Sequence, residues 1–344
     1  IVEHIPFYNM ICGKPNIFVV IIYYCTIAGM CIGMKIYLKK SEDKESKKII
    51  PKTGQIVESK KSKKAKKRKI FIKKIIFVFG SFIIITISLF VHIFTGFEVN
   101  FLDVGQGDGI AIRTHDAFIT VDGGSSDVKN VGKYRIIPFI KYKGIRAIDY
   151  AIISHLDNDH VSGVRELLEQ SDNGGIKVRN IVLPKLLNKD DEYVEMEKLA
   201  HAMGVEVLYL KNGDSIEAGP LKIKCINPDI KNQMDDRNDN STVLDVKYKN
   251  FSMLLTGDIS SEVENNIEKN LAQKYTVLKV PHHGSRFSSS ENMLSKIEPK
   301  YSVISCGEGN SYGHPHIETI DRLNMHNTEI LRTDFIGEID FRME

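Results

Sequence analysis

SHLDNDHVSG, residues 154–163, decides the fold. It follows the continuous apolar run Tyr150–Ser154, read as a buried strand, and runs into a helix expected over Val161–Gln170. Within six residues it places two imidazoles, His155 and His160, beside two carboxylates, Asp157 and Asp159. Without a counter-ion those carboxylates would repel each other. One or two divalent cations remove the repulsion. A strand tip holds ligands rigidly, and the loops beyond it are free to admit substrate. A solvated polar loop accounts for any one of the four residues, but poorly for all four at one strand end.

Two more strand ends carry matching chemistry. LLTGD, residues 254–258, closes an apolar run on Asp258, although a Gly-Asp turn alone says little. LKVPHHGS, residues 278–285, ends a strand on His282 and His283. Neighbouring residues of an extended chain point in opposite directions. One histidine can therefore ligate while the other faces substrate or supports a ligand, and spacing does not choose between them.

From Phe97 onward short apolar runs alternate with Gly, Asn and Asp. Strands are expected over Val99–Val104, Gly109–Arg113, Ala117–Val121, Asn180–Leu183, Val205–Leu210 and Leu221–Ile226. Others follow over Thr242–Tyr248, Phe251–Thr256, Thr276–Val280 and Tyr301–Ser305. Helices are expected over Tyr134–Lys143, Glu192–Met203, Ser261–Leu271, Glu291–Ile297 and Ile317–Asn324. Ser288, three residues before Glu291, reads as a capping box. Strands grouped in each half, with helices between, imply two sheets face to face with helices outside.

The first 96 residues differ in kind. Residues 17–38 and 70–96 hold two apolar runs, Ile17–Met34 and Ile75–Phe94, each near the length that crosses a bilayer. A signal peptide or a buried core helix would also be apolar, but Lys flanks both runs and no small-residue cleavage site follows. Between them, residues 39–69 carry 14 Lys/Arg against 4 Asp/Glu, a net +10. Such a run can bind nucleic acid or anionic lipid. Between two spans it instead holds the loop in the cytoplasm, which puts the rest of the chain outside. The overall charge of +3 leaves −10 on residues 97–344 once the +13 of residues 1–96 is set aside. Of five cysteines only Cys225 and Cys306 lie in that part, which allows one disulfide without implying it.

Seven segments in order, FLDVGQGDG (101–109), ITVDGG (119–124), SHLDNDHVSG, NSTVLDVKY (240–248), LLTGD, VPHHGSRFSSS (280–290) and NSYGHPH (310–316), resemble the C-terminal hydrolase domain of the ComEC-type DNA-uptake competence proteins. The likeness runs from about Glu98 to the end. IPFYNMICGKPNIF (5–18) with its following apolar run resembles the last membrane helices of that family's channel. Residues 1–16 then read as the remnant of an upstream region, and the chain as a piece of something longer.

The resemblance implies a metallo-β-lactamase four-layer αβ/βα sandwich over residues 97–344. His155, Asp157, Asp159 and His160 become metal ligands, Asp258 the carboxylate bridging two ions, and His282 or His283 the last ligand. Asp122 is placed behind the site, orienting a ligand. Asp159 or Asp258 is expected to orient a water, and His314 to line the substrate pocket. Asn240 and Arg286 are expected to contact substrate, while Gln106 and Asp108 read as structural. The superfamily supplies one further histidine; His201 is the sole candidate, and its helical setting suits a surface residue better. One ion, or two of unequal affinity, is therefore expected, Zn²⁺ or Mn²⁺. Three functions follow: a DNA nuclease of uptake working with a separately encoded competence channel; an extracytoplasmic hydrolase of other esters; or a non-catalytic DNA-binding module. A basic patch for DNA would draw on Lys129, Lys133, Arg135, Lys141, Lys143, Arg146 and Arg286.

Overall fold

The computed structural model describes residues 11, 13–45, 72–73, 75–87, 94–170, 175–272 and 274–343. They form two units: the described residues up to 87, and those from 94 onward.

The first unit contains helix α1 (Ile17–Glu45) and a shorter apolar helix α2 (Ile75–Ile87). In α1 the stretch Ile17–Ile36 is long and apolar enough to cross a membrane, and none of it is buried. Tyr23 stacks on Phe82 of α2 with ring centroids 5.5 Å apart. Two spans were expected; α1 alone meets the length among the described residues. Much of the 70–96 segment's flanks, and most of the basic 39–69 stretch, lie outside the described residues.

The second unit holds two seven-stranded sheets. The chain enters through β1 (Phe97–Phe101), β2 (Ile110–Arg113) and β3 (Phe118–Val121), which pair antiparallel. β4 (Ala147–Ile152), β5 (Lys177–Pro184) and β6 (Glu206–Leu210) then add in parallel. Parallel neighbours need crossovers, supplied by α3 (Ile137–Tyr142), α4 (Asn158–Glu169) and α5 (Asp191–Ala202). The second sheet repeats the plan. β7 (Ser215–Ala218), β8 (Leu221–Asn227), β9 (Val243–Tyr248) and β10 (Phe251–Leu255) are antiparallel. β11 (Val277–Lys279), β12 (Tyr301–Ile304) and β13 (Glu329–Arg332) follow in parallel. Their crossovers contain α6 (Ser261–Ile267), α7 (Glu291–Ile297) and α8 (Ile317–Met325). After the short α9 (Thr333–Ile336), β14 (Ile339–Met343) returns to the first sheet, pairing Phe341 with Val99 on β1.

The inner core is built from strand residues of both sheets, among them Phe97, Ile112, Ile119, Val246, Met253 and Val303. Phe97 stacks on Tyr248 across the two sheets at 4.7 Å. A second core packs Leu254 and Leu278 against Val263 of α6, Leu294 of α7 and Leu323 of α8. Helices therefore lie outside the sheet pair, as the layering argument expects.

Three differences from the sequence reading have local causes. β7, β13 and β14 are short strands of mixed polarity at or beside sheet edges, where one face stays partly wet and the apolar alternation fades. The cap of α7 is Ser290, whose hydroxyl accepts from the Met293 amide, and not Ser288. Ser288 spends its hydroxyl on the carbonyls of Pro281 and Ser285. Cys225 and Cys306 are each buried and free, so no disulfide joins them.

Candidate metal centre

The site gathers where parallel strands end. Past β4 come His155 to His160; past β3, Asp122; past β10, Asp258; past β11, the histidine pair; past β12, the segment leading to His314. Gly124 lets two of these loops touch: a Cβ there would lie 2.4 Å from the Asn158 carbonyl oxygen and from the His160 nitrogen. The GQGD turn ties in through its backbone, with the Asp108 amide donating to the Asp159 carbonyl.

Asp159, His160, Asp258 and His283 bring ligand atoms within 4.8 Å of one another. His283 Nε2 lies 3.4 Å from Asp258 Oδ2 and 3.5 Å from Asp159 Oδ2. His160 Nε2 lies 3.3 Å from Asp258 Oδ1. His160 Nε2, His283 Nε2, His155 Nε2 and Asp258 Oδ1 are all buried and have no hydrogen-bond partner among the described residues. Buried polar atoms are ordinarily satisfied. Three of them, on His160, Asp258 and His283, come from different loops and converge with Asp159, which fits a cation, and imidazole with carboxylate is a donor set for a divalent ion.

The atoms behind the ligands fix their orientation. His160 Nδ1 is 3.0 Å from Asp122 Oδ2, which aims Nε2 inward, the place expected for Asp122. Asp122 sits at φ 58, left-handed backbone for a non-glycine residue. His283 Nδ1 lies 2.9 Å from the Ser305 carbonyl oxygen and 3.6 Å from Asp108 Oδ1. Asp108 is in turn held by Lys279, a fully buried lysine, at 2.9 Å. His155 is backed by hydroxyls: Ser154 Oγ at 3.0 Å and Ser241 Oγ at 3.3 Å.

The histidine pair does not lie in extended chain. His282, His283 and Gly284 have φ of 50, 52 and 87, a left-handed turn. The turn separates the two rings: His283 is buried, while His282 keeps 34 % of its side chain exposed. His283 thus takes the ligand place, and His282 sits at the rim, its Nε2 3.8 Å from Asp258 Oδ2. His314 packs at 5.7 Å from His282 and 6.3 Å from His283.

Charge follows geometry. Burial pushes the His160 imidazole down, but Asp258 and Asp122 outweigh it and hold the pKa well above the ordinary 6.5. His283 is likewise raised, by Asp258 and Asp159 against burial. His155 falls to about 4, through burial first and then His160. Burial would raise Asp159, yet His283 and His160 bring it to about 2. His314 falls to about 4, through burial and then its histidine neighbours.

Other expectations land elsewhere. Asn240 is buried, accepting from the Met234 amide and donating to the Met234 and Asp236 carbonyls. Its amide is spent shaping the loop before β9, so it is not a substrate contact; Ser241 beside it reaches the site instead. Arg286 pairs with Glu318 at 3.1 Å, and Arg135 with Asp103 at 3.1 Å. Lys143 is held by Glu98. The expected basic patch is therefore partly neutralised, although Lys129 does line the cleft beside Asp157 and Asp159. His201 is exposed at the end of α5, far from any ligand role. Lys279, Ser154 and Arg237 carry no mark in the sequence that separates them from ordinary lysine, serine or arginine.

This fold and this donor set are those of the metallo-beta-lactamase superfamily, whose profile matches residues 102–308, and the chain belongs to it. Its curated relatives include ComE operon protein 3 of Bacillus subtilis, 31% identical over 262 residues, covering 71% of this chain and 33% of that protein. Competence protein ComA of Neisseria gonorrhoeae is 30% identical, covering 70% of this chain and 31% of that one. Recombination protein 2 of Haemophilus influenzae is 29% identical over 70% and 28% respectively. The chain thus spans about a third of the length of the curated relatives it matches, and the resemblance to the competence family holds.

Proposed function

We propose that the chain is a membrane-anchored, metal-dependent phosphodiesterase that cleaves DNA during uptake, with its hydrolase unit outside the cytoplasm and a competence channel as its membrane partner. The observation that carries the proposal is the convergence of Asp159, His160, Asp258 and His283 on one point, with ligand atoms of the last three buried and unpaired among the described residues. Asp159, His160, Asp258 and His283 would hold a Zn²⁺ or Mn²⁺ ion. When bound, such an ion acidifies water and draws charge from a phosphoryl oxygen. Asp159, an acceptor down to low pH, orients the attacking water by hydrogen bonding. His314, neutral at pH 7 and with Nδ1 free, offers a hydrogen bond to the substrate at the rim. A cleft of about 770 Å³, lined by Asp157, Asp159, Ser126, Lys129 and Tyr312, gives the phosphodiester access. The resemblance to the competence proteins supports DNA as the substrate, and the length and apolarity of Ile17–Ile36 in α1 support its role as the anchor.

The test uses the full chain purified in detergent, loaded with Mn²⁺ or Zn²⁺, with chelated protein as control. Metal-dependent cutting of single- or double-stranded DNA, weakening steeply with salt, is expected. Hydrolysis of bis(p-nitrophenyl) phosphate with both DNAs left intact would replace DNA by another phosphodiester. Protease added to intact protoplasts should remove the hydrolase unit; complete protection would reverse the topology.

A further inference from the structure

Arg237 lies on the cleft wall, just before the buried Asn240–Ser241 pair. Its guanidinium touches three carboxylates: Asp157 Oδ1 at 2.6 Å, Asp190 Oδ2 at 2.8 Å and Glu192 Oε2 at 2.9 Å. Asp190 is the N-cap of α5 and Glu192 lies in its first turn, so two of the three partners are anchored to a helix end. Asp157 is the third. Its other oxygen, Oδ2, stands 3.8 Å from the unpaired His155 Nε2.

We propose that Arg237 competes with a metal ion for Asp157, so that the centre takes one ion tightly and a second only weakly. This rests on the metallohydrolase reading above and says why its two ion places are unequal. Asp159, His160, Asp258 and His283 form a group with mutual spacing suited to one ion, and Asp157 is not in that group. On the His155 side an ion would have His155, Asp157 and whatever share of Asp258 the first ion leaves. The forked guanidinium gives Asp157 one short charge-assisted bond from Nη1 and is held in place by the bonds of Nη2 to Asp190 and Glu192, and such charge-assisted bonds are strong and directional. It draws electron density from Asp157 and leaves a fixed positive charge beside the ion place. Arg237 cannot lose that charge by deprotonation at any working pH.

The experiment is a titration of the full, metal-stripped chain in detergent with Mn²⁺ alone, followed by calorimetry and by elemental analysis after desalting. The wild type should retain one ion per chain, with a second binding at least about tenfold more weakly. Arg237→Gln, which keeps a hydrogen-bonding amide but no charge, should retain the first ion and bind the second several-fold more tightly. Arg237→Lys, with charge but no fork, should fall between. Two ions of equal affinity in the wild type would overturn the proposal. So would a second ion bound more weakly in Arg237→Gln, which would make Arg237 the residue that positions Asp157 as a ligand. Should Arg237→Gln fail to fold, the wild-type stoichiometry and Arg237→Lys decide. None of these readings requires DNA cleavage, so they stand or fall apart from the choice of substrate.

Discussion

The two halves of the metal centre use the same side chains and support them differently. His160 is backed by the carboxylate of Asp122, and His283 by a carbonyl and by Asp108, itself neutralised by Lys279. Among the described residues His155 has only the hydroxyls of Ser154 and Ser241 behind it, and the Asp157 side chain is 38% exposed. A carboxylate behind an imidazole fixes its tautomer and strengthens it as a donor; a hydroxyl does so weakly. Equal ligands therefore need not make equal sites. The difference lies in what stands behind them.

The largest effect should come from removing a ligand on either side. His160→Ala should abolish retention of the tight ion, whereas His155→Ala should retain it and lose only weaker binding. Elemental analysis of the two variants breaks the comparison if the losses are reversed. Next comes the support of His283. Lys279→Met leaves the buried Asp108 carboxylate without its partner, and breaking such a pair costs about 3–5 kcal/mol. Denaturant unfolding should show that loss, with part of it recovered in Lys279→Met combined with Asp108→Asn. Full stability in the single variant would mean that Asp108 finds water instead. Asp122→Asn should weaken metal affinity by about 10- to 100-fold, the usual cost of losing a carboxylate behind a ligating histidine. A competition assay with a metal indicator reads this, and Ser241→Ala should do less.

The smallest effect is the pH dependence of the metal-free protein. His160 has a folded pKa above its ordinary 6.5. The stability it contributes is fully present below about 6.5 and is lost as pH rises through the folded value. The metal-free chain should thus melt at lower temperature as pH rises above neutrality. Metal must displace that proton, so ion binding should release protons and strengthen over the same range. Calorimetry in buffers of differing ionisation enthalpy checks this, and no proton release would show that His160 is already neutral.

The sequence by itself determined where ligands can be. SHLDNDHVSG, LLTGD and LKVPHHGS each join an apolar strand to a polar tip, and both features are local enough to read without a fold. It also determined the layers, because period-two and period-3.6 patterns persist in the central strands and the long helices. The apolar length of residues 17–34 was equally plain, since hydropathy needs no partner. The tertiary structure decided everything that depends on approach from a distance. His283 rather than His282 turns inward because three successive left-handed residues carry it there, a conformation no pattern of residue types announces. Lys279 reads as an interruption of an apolar strand until the fold sets Asp108 against it. Asn240 reads as a polar contact until its amide closes on Met234 and Asp236. Arg237 is one arginine among many until α5 brings Asp190 and Glu192 beside Asp157. A residue type fixes which bonds a side chain can make, but a buried charge is tolerated only where chain from elsewhere supplies its partner, and that supply is set by packing alone.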